Sequence, residues 1–192
     1  MVRLRLAALL AIAALAAAAG AAAAQEPVFN VEIDDRRADA DGPLDVVRVS
    51  LGPSREEQLA GQVTMARRWD AADLRPVDAR PATLCFKLYV RRMAGEEPPD
   101  YLACTVAPAE GKELTARVLR NRANGLARTT GVGTVRRLSG RTVELHFPRA
   151  AIGSPERLSF VVESVTFIRG CRVPQGCVDL SPEVRPARLQ LG

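Results

Sequence analysis

Apolar and polar residues alternate with a period of two along most of this chain, and no stretch keeps a 3.6-residue period over the length of a helix. The pattern is clearest over 82–91, where Leu84, Phe86, Leu88 and Val90 alternate with Cys85, Lys87 and Tyr89. Such alternation fits a strand with one face in a core and one in water. The same reading predicts strands at 28–33, 44–51, 58–67, 82–91, 101–106, 113–119, 132–138, 141–147, 158–167 and near 184–191. Turn-forming residues fall between them, at Gly52-Pro53, Glu110-Gly111, Asn124-Gly125, Ser139-Gly140 and Ser154-Pro155. Ser139-Gly140 gives the clearest hairpin, and 148–153 reads as a single helical turn. About ten short strands at this spacing predict an all-β fold, an antiparallel β-sandwich of jelly-roll-like form. Its inner faces should carry Phe29, Val31, Ile33, Leu84, Phe86, Leu88, Val143, Leu145, Phe147, Leu158, Phe160 and Val162.

The first 24 residues break this pattern. Arg3 and Arg5 precede an apolar run from Leu6 to Leu15, and small residues end at Ala22-Ala23-Ala24 before Gln25. That is the layout of a secretory signal peptide. The Leu- and Ile-rich part covers only about ten residues where a spanning helix needs about 20. An uncleaved anchor is therefore the weaker alternative, and no later segment could span a bilayer as a helix. Removing 24 residues and two arginines takes the chain from 192 residues and +5 to 168 residues and +3. That length suits one domain, over 25–192. The expected location is secreted or extracellular, in a periplasm or cell envelope or beyond it.

Export makes disulfides the expected state of Cys85, Cys104, Cys171 and Cys177. If 82–91 and 101–106 pair across a turn with Tyr89 opposite Asp100, Lys87 faces Leu102 and Cys85 faces Cys104. Cys171 and Cys177 flank a segment that Pro174 and Gly176 can turn. The expected pairs are Cys85–Cys104 and Cys171–Cys177. Thiolates clustered with histidine, as a zinc site needs, are not found.

Charge is uneven along the chain. Residues 117–149 carry eight arginines against Glu144 alone, whereas 26–45 carry seven acids against Arg36 and Arg37. The basic stretch is either a patch for an acidic polymer or a solvated sheet face in a chain where arginine has replaced lysine, since Lys87 and Lys112 are the only lysines. Nucleic acid is not an expected partner, because export removes it and the stretch offers no aromatic platform for bases. In the acidic stretch Asp34, Asp39, Asp41 and Asp45 converge on one turn, and Asp179 joins them if the C-terminal strand lies beside the first. Hard oxygens on a turn suit calcium, the one cofactor considered. Aspartate also simply favours turns, and loop position twelve, where a calcium loop carries Glu, is Ser50.

Catalytic vocabulary is thin. His146 is the only imidazole, so a Ser-His-Asp or Cys-His mechanism would have to use it, yet it falls on an outward face beside Glu144. Carboxylate pairs for glycoside hydrolysis are available by composition, but the aromatic residues that line sugar clefts are few. Trp69 and Tyr89 are the candidate stacking residues for a ligand, with Trp69 equally suited to capping one end of a sandwich.

The run Asp41-Gly42-Pro43-Leu44-Asp45-Val46 before an alternating strand, and Phe147-Pro148-Arg149-Ala150-Ala151-Ile152-Gly153-Ser154-Pro155 before the strand at 158–167, resemble bacterial extracellular sandwich modules of the DOMON and family-9 carbohydrate-binding kind. The resemblance implies a scaffold that often binds sugars, haem or metal; a pair of sugar-clamping tryptophans is missing here. The expected function is an exported, non-catalytic binding module for a polysaccharide or another envelope component. A structural domain that associates with protein partners is the alternative, and a small secreted hydrolase the third.

Overall fold

The computed structural model describes residues 27–35, 40, 42–55, 57–75, 82–91, 98–108, 113–122, 125, 127–167, 177–183 and 185–192. Among these residues eleven strands follow one another: β1 Val31–Asp34, β2 Val46–Pro53, β3 Gln58–Met65, β4 Thr83–Tyr89, β5 Tyr101–Val106, β6 Thr115–Arg120, β7 Arg128–Arg137, β8 Thr142–Pro148, β9 Arg157–Thr166, β10 Cys177–Ser181 and β11 Ala187–Gln190. All pair antiparallel in one sheet of order β1-β2-β3-β8-β7-β6-β5-β4-β9-β10, with β11 also on β9. Among the described residues no helix is long and apolar enough to cross a membrane.

The two opposed walls of the sandwich are halves of this one sheet, curled until its ends nearly meet. β4–β8 form an up-and-down meander. The passages from β3 to β4 and from β8 to β9 then cross opposite ends of the flattened barrel. Walls as close as these need small residues where a ring approaches backbone. A Cβ on Gly61 of β3 would stand 2.6 Å from the Phe86 ring of β4 across the core. Phe86 in turn packs on Phe160, with ring centroids 6.0 Å apart. Of the residues predicted inside, those on β4, β8 and β9 are fully buried, while Val31 and Ile33 pack half-buried at the edge of the core.

Each end is closed by a single 3₁₀ turn. At one end Ala71–Leu74 starts at Asp70, whose Oδ1 accepts from the Ala72 N–H at 2.6 Å, while Asp73 Oδ2 accepts from the Asp70 N–H at 2.7 Å. At the other, Arg149–Ile152 occupies the predicted helical turn and ends on Gly153 in the left-handed region, φ 81°. Its Ala151 Cβ lies where a Cβ on Gly131 would be 2.5 Å away, so β7 admits this plug only by carrying glycine there.

The strand missing from the sequence reading is β10. Its alternation is inverted: Asp179 and Ser181 are buried, while Val178 and Leu180 are 43% and 37% exposed. The reason is its position at the closing seam. Asp179 Oδ2 accepts the Val46 N–H of β2 at 2.5 Å, and Ser164 of β9 donates to the Leu44 carbonyl at 2.5 Å. Polar side chains replace a backbone ladder there, so the inward face must be polar.

Candidate anion-binding cleft

The rim closed by Arg149–Ile152 is formed by the start of β7, the end of β6, the start of β5, the end of β4, the start of β9 and the end of β11, in that spatial order. A cleft of about 1000 Å³ opens on it. Arg91, Arg120, Arg122 and Arg128 line it above a floor formed by the plug and Tyr101. All four guanidinium-bearing residues are exposed, and among the described residues none is in an ion pair. Asp100 also lines the cleft, but its Oδ2 is occupied by the N–H groups of Val90 and Arg91, at 2.9 and 3.1 Å. Arg120 and Arg128 are direct cross-strand partners. Like charges in that relation repel, which an anion held between them would reverse.

Five arginines elsewhere are committed. Arg48 pairs with Asp34 and Glu32, which raise its pKa, the Asp34 hydrogen bond most strongly. Arg136 pairs with Glu144. Arg141 donates to the Met65 carbonyl and Arg149 to the Pro155 carbonyl. Arg137 lies over the Trp69 ring, 4.3 Å from its centroid, and donates to the Trp69 carbonyl.

A second cleft of about 430 Å³ continues along the same rim and shares Arg91 with the first. Tyr89, Arg157 and Arg188 line it. The Tyr89 hydroxyl titrates above its ordinary value, first because it is desolvated and then because Glu163 is near. No family model, no curated protein and no solved structure matches the chain.

The predicted site residues separate. Trp69 is 5% exposed, with Nε1 donating to the Arg141 carbonyl at 3.2 Å, so it caps the opposite end of the barrel and presents no open ring to a ligand. Tyr89 lies in the second cleft but is itself largely covered. Cys85 and Cys104 are bonded, in the register expected from their strands. Cys177 is disulfide-bonded, while Cys171 lies outside the described residues.

The described aspartates among those proposed for calcium are each engaged separately. Asp34 points outward into its ion pair with Arg48. Asp45 and Asp179 are buried at the seam, where Asp179 holds the backbone of the residue after Asp45. Asp39 and Asp41 lie outside the described residues. Among the described residues no three His, Cys, Asp or Glu side chains come together as a metal site would require.

His146 is half-buried on the outer face and bridges two groups. Its Nε2 lies 2.8 Å from Glu144 Oε1 and its Nδ1 3.3 Å from Ser54 Oγ. A hydroxyl, an imidazole and a carboxylate in a row is also the order of an acyl-transfer relay. Here Arg136 shares the same carboxylate oxygen at 3.1 Å, and Glu144 is 1% exposed. The chain of contacts satisfies a buried charge that would otherwise be costly.

Sequence reasoning had flagged the stretch holding Arg120, Arg122 and Arg128 but not Arg91, Arg157 or Arg188. The usable signal is arginine at strand ends that share a rim, and it appears only once the strand order is known.

Proposed function

We propose that this protein is an exported, non-catalytic binding module whose ligand is an acidic polysaccharide of the cell envelope. The observation that carries the reading is the rim cleft, where four exposed arginines gather around one carboxylate, Asp100, with no ion pair among the described residues, while Arg48, Arg136 and Arg141 are engaged within the fold. Flat guanidinium forks match carboxylates in bidentate fashion, better than lysine would. Neutral sugars are usually gripped by exposed aromatic faces, and Trp69, Tyr89 and Tyr101 are all buried. The same lack argues against nucleic acid, whose bases need a stacking surface. The resemblance to extracellular carbohydrate-binding sandwiches is consistent with this assignment, as is the disulfide Cys85–Cys104.

Calorimetric titration of the oxidised protein with polygalacturonate and with dextran tests the reading. Polygalacturonate is expected to bind, with affinity falling at least about tenfold between low and moderately high salt, while dextran gives no heat. The double variant Arg120→Ala/Arg128→Ala is expected to lose most of that affinity at unchanged melting temperature. Equal binding of dextran, or no binding of the polyanion at low salt, would refute it.

A second reading, association with a protein partner, is favoured by one observation, the outward Val178 and Leu180 of β10. Val178→Ser/Leu180→Ser would abolish such association without touching the rim.

A further inference from the structure

We infer that the ligand is a linear chain of carboxylate-bearing sugars laid along the rim through both clefts, with Arg91 at their junction. The inference rests on the anion reading of the first cleft and goes beyond it by fixing the ligand's shape and length. Three observations support it. First, four of the six strand ends on this rim carry arginine at or just past their termini: Arg128 on β7, Arg120 on β6, Arg91 after β4 and Arg157 on β9, while Arg188 lines the second cleft from two residues inside the rim end of β11. Second, these positions fall in both clefts rather than one, and Arg91 lines each. A single small anion needs one cluster, not a row. Third, β5, whose rim end carries no arginine, is preceded by Asp100, whose side chain fixes the backbone at Val90 and Arg91 and so sets where the junction arginine leaves the sheet.

The geometry gives the row a length. From β7 to β11 the rim passes through β6, β5, β4 and β9. At ~4.8 Å between neighbouring strands this is about 24 Å of arc. A carboxylate repeated on every sugar can meet cations in succession along such an arc. Each contact after the first is then intramolecular, so affinity climbs with chain length until the arc is filled.

Oligogalacturonates of increasing length, from the dimer upward, titrated against the oxidised protein at moderate salt test this. For the unaltered protein the dissociation constant is expected to fall by at least about tenfold from the dimer to oligomers long enough to reach the second cleft, then to level off. Arg157→Ala is expected to weaken only the long oligomers, by about tenfold, and to leave the dimer unchanged, since a charge-assisted bond is lost only where the ligand reaches it. Arg91→Ala should weaken every length beyond the dimer. Arg117→Ala, an exposed arginine on β6 outside both clefts, should change nothing.

If Arg157→Ala is silent at every length while Arg128→Ala weakens all of them, the ligand is confined to the first cleft and this inference fails, with the proposed function intact. If Arg128→Ala is silent too, both fail. Equal losses from Arg117→Ala and Arg157→Ala would mean diffuse attraction to a basic surface and would also overturn it. Oligothymidylate of matched charge that binds as tightly would assign the row to a nucleic acid instead.

Discussion

The two ends of the barrel are built from the same residue types to opposite effect. At the end closed by Ala71–Leu74, two arginines are part of the packing. Arg137 covers the Trp69 ring, and Arg141 joins the end of β3 through hydrogen bonds to Met65 at 2.8 and 3.0 Å. At the end closed by Arg149–Ile152, only Arg149 is used in this way. Arg91, Arg120, Arg122 and Arg128 project over a hollow instead. A buried tryptophan under a guanidinium that already donates to its carbonyl marks packing that holds the fold together. Repelling cations left over a cleft cost stability, and a protein keeps such an arrangement where something else recovers the loss. The contrast teaches that arginine count alone does not mark a site; what each guanidinium already touches does.

The comparison breaks most visibly at Trp69. Trp69→Ala should cost about 3–5 kcal/mol in chemical denaturation, because it opens a cavity at a capped end. A loss below about 1 kcal/mol would show that this end does not carry the packing assigned to it. Gly131→Ala should cost about 1–3 kcal/mol by forcing the added methyl against Ala151, and it should also reduce polyanion binding because the plug floors the cleft. Arg137→Ala should follow, at about 1–2 kcal/mol from the lost cation–π contact and carbonyl bond. Its counterpart at the other end, Arg128→Gln, should stay within about 0.5 kcal/mol or stabilise slightly, since it relieves repulsion with Arg120. Equal losses from the last two variants would erase the distinction between the ends.

The smallest effect is a pH dependence. Tyr89 holds its proton more tightly folded than unfolded, because it is desolvated and near Glu163. The stability this represents is fully present below the ordinary tyrosine value of about 10 and is lost as pH rises through the raised one. Denaturation midpoints measured from pH 9 to about pH 11 should therefore fall less steeply in Tyr89→Phe than in the unaltered protein.

Much of the fold was legible because alternation reports burial directly. Leu84, Phe86 and Leu88 are inside, Cys85 meets Cys104, and Ser139 turns the chain into β8 with its hydroxyl accepting from the Arg141 and Thr142 N–H groups. β10 was not legible, because Asp179 faces the Val46 N–H at the seam rather than the apolar core, which inverts the alternation of the strand. The first residues of β7, Arg128-Thr129-Thr130-Gly131, were missed for a related reason. Arg128, Thr129 and Thr130 are exposed at the cleft, and Gly131 lies against the plug where a side chain is excluded, so none of the four shows an apolar alternation. The candidate site was legible only as an excess of arginine over 117–149. Half of its rim comes from β4, β9 and β11, and only strand order brings them to it.

The seam also sets an order of events in folding. Its two bonds join Leu44 to Ser164 and Val46 to Asp179, spanning 120 and 133 residues of chain. The meander β4–β8 can assemble from neighbours in sequence, whereas β2 near Val46 waits for the penultimate strand. Contacts so distant are late and slow to form, and until they do, the start of β2 is an unpaired edge of the kind on which chains adhere to one another. In pulse-labelled hydrogen exchange the Val46 amide should be among the last in the molecule to become protected.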